Sequence, residues 1–148
     1  MWSHQTSSVC KVKTRLILDC PSTTYADYNS SRCVTACPVG TFYMDGTTPN
    51  CTTRCPNNYY ANPINKMCVP GSSCPSSPAP YFADDTTNLC VAACPANYFA
   101  DSFTQRCLVF CSVNYWGDSS SGVGLCVQTC PSTYYRDNVT RKCVQVCP

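Results

Sequence analysis

Cysteine recurs along this chain at two alternating intervals, and that rhythm constrains the fold more than any other feature. A Cys-x-x-x-Cys pair appears at Cys33/Cys37, Cys51/Cys55, Cys90/Cys94, Cys107/Cys111, Cys126/Cys130 and Cys143/Cys147, and Cys68/Cys74 is the same pair stretched by two residues. Between pairs the offset is 13 from Cys20 to Cys33, Cys55 to Cys68, Cys94 to Cys107 and Cys130 to Cys143. It is 14, 16 and 15 from Cys37 to Cys51, Cys74 to Cys90 and Cys111 to Cys126. One loop type is fixed and the other drifts, so the sequence repeats in double steps of roughly 35–39 residues, four times over.

The loops share a second pattern. In the fixed loops Pro21, Pro56, Pro95 and Pro131 follow the cysteine, then come Tyr25, Tyr60, Phe99 and Tyr135, then Asp27, Asn62, Asp101 and Asp137. The drifting loops carry the same core in shifted register: Phe42-Tyr43…Asp45, Tyr81-Phe82…Asp84, Tyr115-Trp116…Asp118. Asp and Asn initiate turns by bonding their own downstream backbone, so a single Asp after a short extended run predicts a hairpin turn. A calcium or catalytic role is the competing reading, and Asp84-Asp85 is the one acidic doublet that would serve it. Adjacent aromatics on a strand point to opposite faces. One ring of each pair is therefore expected to pack inward. A sugar- or protein-binding surface of Tyr59, Tyr98, Tyr115, Trp116 and Tyr134 is the competing reading.

Composition excludes several classes. Sixteen of the 148 residues are Cys, above the level that marks a disulfide scaffold. The chain has no Glu, 12 prolines and a net charge of +2, which disfavours long helices and leaves no strong field for nucleic acid. No apolar run, Leu16-Ile17-Leu18 included, approaches the ~18 residues of a membrane span. Disulfides at this density belong to an oxidising compartment. Sequons at Asn29, Asn50 and Asn138, with 32 Ser and Thr, add an expectation of N-linked and O-linked glycans outside the cell. No signal peptide opens the chain, and Cys147-Pro148 reads as the start of one more unit.

Sixteen cysteines allow about two million pairings, and spacing alone does not choose among them. Taking fixed loops as the interior of modules groups the cysteines in quartets: Cys10, Cys20, Cys33, Cys37; Cys51, Cys55, Cys68, Cys74; Cys90, Cys94, Cys107, Cys111; Cys126, Cys130, Cys143, Cys147. The expected modules are 10–37, 51–74, 90–111 and 126–148, joined by connectors 38–50, 75–89 and 112–125 and preceded by an extension, 1–19. First-to-third and second-to-fourth bonding is the preferred arrangement, giving Cys94–Cys111 and Cys130–Cys147. The rival joins the ends of every loop and strands Cys10 and Cys147. Each bridge closing ~15 residues stabilises by about 3 kcal/mol in the chain-entropy view.

The Cys-x3-Cys-Pro-x-x-Tyr-Tyr-x-Asp pattern, with Val after the third cysteine of a unit (Cys33-Val34, Cys68-Val69, Cys143-Val144), resembles the growth-factor-receptor or furin-like cysteine-rich repeats. It is most similar to their tandem versions in surface proteins of ciliates and other protists, and covers roughly residues 20–148. The resemblance implies a rod of small disulfide-knotted modules. Such repeats serve as receptor stalks, ligand-binding ectodomains, surface antigens and fibre components.

Other chemistries are poorly supplied. Structural zinc takes four ligands, but its modules favour Cys-x2-Cys knuckles. A catalytic cysteine needs a thiolate beside a base; the single histidine is His4, and the even cysteine count leaves no spare thiol. Lys11, Lys13 and Arg15 alternate with Val12, Thr14 and Leu16, predicting a β-strand in the extension. It is either an edge protected by its cations or a strand added to a neighbour.

The expected fold is small and disulfide-rich: an elongated rod of tandem cysteine-knotted modules with short β-hairpins and little or no helix. The expected function is that of an extracellular or cell-surface structural subunit, a glycosylated rod in a fibre, coat or stalk that assembles end to end. The alternative is a receptor-type ectodomain or surface antigen binding a protein ligand. No catalytic residue, metal, cofactor, nucleic-acid partner or membrane span is expected.

Overall fold

The structure is a computed structural model that describes residues 20, 21, 23–39, 43–45 and 49–146, the backbone alone at 43–45. The strand expected in the extension, and Cys10 and Cys147, lie outside the described residues.

Seven short hairpins account for nearly all regular structure. In chain order they are β1 (Tyr25–Asp27) with β2 (Arg32–Val34), β3 (Tyr43–Asp45) with β4 (Cys51–Thr52), and β5 (Tyr59–Ala61) with β6 (Met67–Pro70). Then follow β7 (Phe82–Asp84) with β8 (Leu89–Val91), β9 (Phe99–Asp101) with β10 (Arg106–Leu108), β11 (Trp116–Asp118) with β12 (Leu125–Val127), and β13 (Tyr135–Asp137) with β14 (Lys142–Val144). One 3-10 turn, Gly71–Ser73, fills the stretched Cys68/Cys74 interval and is the only helical element among the described residues. Among the described residues no helix is long and apolar enough to cross a membrane.

Each hairpin places a cysteine of its second strand opposite the residue that follows the last aromatic of its first strand. Ala26 faces Cys33, Met44 Cys51, Ala61 Cys68, Ala83 Cys90, Ala100 Cys107, Gly117 Cys126 and Arg136 Cys143. That cysteine is bonded to the one that opens the same loop. The seven disulfides are Cys20–Cys33, Cys37–Cys51, Cys55–Cys68, Cys74–Cys90, Cys94–Cys107, Cys111–Cys126 and Cys130–Cys143. Their Cα–Cα distances of 5.5–5.6 Å suit unstrained bridging. This corrects the expected first-to-third and second-to-fourth pairing: Cys94 bonds Cys107, not Cys111, and Cys130 bonds Cys143.

The physical reason lies in where the drifting loops absorb their extra residues. Two additional residues separate Asp118 from Cys126, and the extra length in the second and fourth loops precedes the strand. The strand pair itself is untouched. The stretches 38–50, 75–89 and 112–125 each carry the first strand of a hairpin of the same kind.

Successive hairpins are stitched by parallel pairing. The first strand of each lies against the second strand of the next, producing one 12-stranded order, β13-β14-β11-β12-β9-β10-β7-β8-β5-β6-β3-β4, with β1-β2 attached through an Ala26–Asn50 bridge. A parallel contact between a first and a second strand requires neighbouring hairpins to point in opposite directions. Turns of the fixed loops thus share one edge and turns of the drifting loops the other. The double step in the sequence is this alternation.

What little core exists sits in the seams. Tyr60 packs with Cys74, Ala83 and Cys90; Phe82 packs with Ala100 and Cys107. The ring of one hairpin covers the small residue and disulfide of the next. Tyr60, Phe82 and Phe99 are buried while their neighbours Tyr59, Tyr81 and Tyr98 are half-buried, as strand alternation requires.

Candidate functional site

The turn carboxylates have a structural occupation. Asp27 Oδ1 accepts the Asn29 backbone N–H (3.0 Å) and its Oδ2 the Ser30 hydroxyl (2.6 Å). Asp84 accepts from Thr86 N–H and Oγ1 and from Thr87 Oγ1, Asp118 from Ser120 N–H and Oγ, and Asp137 from Val139 N–H and Thr140 Oγ1. Asp101 accepts from Phe103 N–H and Ser112 Oγ, and Asn62 from Ile64 N–H. These are side-chain-closed turns. The hydroxyl of Ser30 holds the Asp27 carboxyl below its ordinary range, and that of Thr140 does the same for Asp137. Among the described residues no three His, Cys, Asp or Glu side chains gather as a metal site.

The other half of the doublet, Asp85, belongs to a clamp across three hairpins. Arg106 donates to Asp85 Oδ1 at 2.6 Å and to the Tyr60 hydroxyl at 2.8 Å, its guanidinium 5.5 Å from the Tyr60 ring centre, and the Tyr60 hydroxyl donates to Asp85. Arg106 draws the Asp85 carboxyl down, while burial raises the Tyr60 phenol. A cation in one hairpin thus reaches over the next to an aromatic two hairpins back. Lys142 repeats the gesture, its Nζ 5.7 Å from the Phe99 ring centre.

At the C-terminal hairpin, Arg136 stacks 4.5 Å from the Trp116 ring centre and donates to the Gln128 carbonyl at 2.9 Å. Arg141 donates to the Ser112 carbonyl. Tyr59, Tyr98, Tyr115, Trp116 and Tyr134 are half-buried, and the Tyr115 and Tyr134 hydroxyls accept from Gln128 and Gln145. Tyr115 and Tyr134 are thus tied to residues just past their own hairpins, and Trp116 is held by Arg136 and Asn138 of the next hairpin.

Asn29 and Asn138 stand exposed in turns of the first and seventh hairpins, Asn138 accepting from Trp116 Nε1 at 3.3 Å. Asn50 is half-buried beside Cys51, and its Oδ1 is enclosed without a partner. An open cleft of about 440 Å³ lies between the first two hairpins, lined by Asp27, Tyr28, Asn29, Cys51, Thr52 and Thr53.

Sequence reasoning missed one recurrent device. Asn58, Asn97 and Asn114 adopt φ of 68°, 69° and 67°, and Thr23 one of 87°. Each precedes the residue whose N–H closes the turn after the cysteine, as in Tyr59 N–H to Pro56 O and Tyr98 N–H to Pro95 O, both 3.0 Å. Asn tolerates the left-handed region better than most residues. Its recurrence three residues after the cysteine was the available signal.

A scan against protein-family models and a search of curated proteins both return no match to this chain.

Proposed function

We propose that this chain is an extracellular structural spacer: an elongated, glycosylated subunit of a fibre, surface coat or stalk that joins its neighbours end to end and performs no catalysis. The strand order carries the reading, because each hairpin pairs only with the one before and the one after. Stability in such an array is a sum of units and nearest-neighbour terms. The seven disulfides suit an oxidising, secreted environment. The resemblance to furin-like cysteine-rich repeats agrees with the same reading, as does the engagement of the turn carboxylates in hydrogen bonds. Glycans are assigned to the sequons at Asn29, Asn50 and Asn138, with Asn29 and Asn138 the most open to modification.

Small-angle scattering tests the shape. Seven hairpins at two strand spacings each make a particle about 70 Å long, with a radius of gyration of roughly 20 Å or more, against ~15 Å for a compact chain of this length. A value near the compact limit overturns the proposal. Glycosidase treatment followed by intact mass tests the sequons.

A receptor-type or antigenic role is favoured by one observation. Ile64, Phe103 and Val139 project at the same turn position of three fixed loops, Phe103 at 80% and Val139 at 87% exposure. All three lie on one edge, where a protein ligand would meet a row of apolar tips.

A further inference from the structure

Five of the seams between hairpins use the same hydrogen bond. Ala26 N–H donates to Pro49 O at 2.8 Å, Ala61 to Asn88 at 2.9 Å, Ala83 to Gln105 at 2.8 Å, Ala100 to Gly124 at 2.9 Å and Gly117 to Arg141 at 2.9 Å. The donor is always the first-strand residue opposite its own hairpin's cysteine, and the acceptor stands two residues before the second-strand cysteine of the next hairpin. The donor faces its own hairpin's cysteine, so its N–H points away from that hairpin and is left for a neighbour.

Two positions have the same geometry and no such bond among the described residues. Arg136 faces Cys143 in the same register, and β13 ends the strand order. Its N–H therefore points out of the sheet edge. At the other end Ser31 precedes β2 with φ 55°, matching the acceptors Asn88 (57°), Gln105 (53°) and Arg141 (57°). Arg32 and Cys33 beside it are exposed, whereas Cys51, Cys68, Cys90 and Cys107 in equivalent strands are buried. A ring waits at the first of these ends too. Tyr60, Phe82 and Phe99 are covered, but Tyr135, their counterpart, is 60% exposed.

We infer that these are the two halves of one further seam, filled by a second copy of this chain. β13 of one molecule pairs in parallel with β2 of the next, Arg136 N–H donating to Ser31 O of the second copy. This rests on the end-to-end assembly proposed above and names its surface. The occupant is a second copy because the contact continues an interface already formed between every pair of hairpins in the chain, and the first hairpin carries the matching acceptor. A donor edge meeting a different, acceptor edge is heterologous and does not close at two.

The register also sets the strength of the seam. In each internal seam the residue opposite the hairpin's own cysteine lies beside the residue just before the neighbouring second-strand cysteine, as Ala83 beside Arg106 and Gly117 beside Lys142. At the intermolecular seam this places Arg136 beside Arg32 of the second copy. Like charges opposed across strands weaken pairing and opposite charges strengthen it. Association of the parent protein is accordingly weak at low salt and rises with screening.

Sedimentation velocity on the oxidised full chain over a concentration series, in 20 mM and 300 mM salt, tests this with three variants. Arg32→Glu is expected to raise the association constant about tenfold at low salt, and the series is expected to extend beyond dimer. Arg32→Glu combined with Arg136→Glu, which restores like charge, is expected to lose that gain. Arg136→Pro removes the outward N–H at a position where an edge strand accommodates proline, and is expected to stay monomeric at all concentrations. Non-reducing peptide maps and circular dichroism verify that the variants retain the parent fold. The inference is overturned if Arg32→Glu associates no better than the parent, if Arg136→Pro associates as the parent does, or if assembly stops at a dimer indifferent to position 32. Scattering on monomeric Arg136→Pro reports the particle's length separately, so failure of the seam and failure of the spacer reading are told apart.

Discussion

Replacing Gly117 with alanine tests the idea that the ring of one hairpin is seated on the backbone of the next. A Cβ at this position lies 2.5 Å from Cε1 and Cζ of Phe99 and 2.7 Å from Cδ1, about 1 Å inside carbon–carbon contact. Phe99 is 3% exposed and has little room to retreat, because Gly124 bounds it as well: a Cβ there would sit 3.3 Å from Phe99 Cδ1 and 2.3 Å from Tyr98 O. Overpacking of this kind costs about 1–3 kcal/mol, so the seam should open roughly 5- to 150-fold more often. The amide of Ala100 reports it directly, since it donates to Gly124 O across the seam that holds the Phe99 ring. Hydrogen exchange in Gly117→Ala should lose protection at Ala100 by that factor, while the amide of Ala83, bonded to Gln105 O in another seam, should change less than twofold. A second substitution, Phe99→Leu, should recover part of the loss. Unchanged exchange at Ala100, or equal loss at Ala83, would refute a locally seated ring.

The Asp27 and Asp137 carboxyls, lowered by their turn hydroxyls, should titrate below the ordinary value of 3.8 in carboxyl-carbon NMR. Their stabilisation is then complete above that value and lost as pH falls through the depressed native pKa; a normal or raised pKa contradicts the turn geometry. Asp85→Asn should cost at most about 1 kcal/mol and less in high salt, because Asp85 is more than half exposed and Arg106 a third exposed; thermal melts at two ionic strengths check this, and a larger or salt-independent loss refutes it. Non-reducing peptide mapping should recover Cys94–Cys107 and Cys130–Cys143, and recovery of Cys94–Cys111 contradicts the fold.

Much of the local chemistry was legible in the residues themselves. A single Asp after an aromatic predicted the turn, because it rests on interactions within three or four residues, and adjacent aromatics predicted the buried ring at Tyr60, Phe82 and Phe99 but not at Trp116 or Tyr135. Disulfide pairing was not legible for the opposite reason. Loop length distinguishes a rigid interior from a connector only if insertions fall outside paired strands, and here they fall between Asp118 and Cys126 or ahead of β3 and β7, where a hairpin absorbs them. Cation–aromatic stitches such as Arg106 to Tyr60 were hidden too, since they join residues two hairpins apart. The left-handed residues Ser31, Lys66, Gln105 and Arg141 carry no side-chain signature; each stands four residues after the turn Asp or Asn, and the hairpin turn, rather than intrinsic preference, sets its conformation. Asn88 alone among them belongs to a type that favours the conformation.

Because each disulfide closes its own loop, the covalent path along the chain bypasses most of the residues. Pulled from its ends, the protein is a chain of short links: across Cys20–Cys33 the Cα atoms are 5.6 Å apart, and the four residue steps to Cys37 extend at most about 14 Å. One link therefore reaches about 20 Å, only twice the ~10 Å that two paired strands occupy in the sheet. Opening a seam under load releases that small slack and then meets covalent bonds, whereas the same stretch with its cysteines reduced pays out about 60 Å. An oxidised chain of this design stretches to about twice its folded length in steps of about 10 Å per link and then holds, and the redox state of its surroundings sets the length at which it holds.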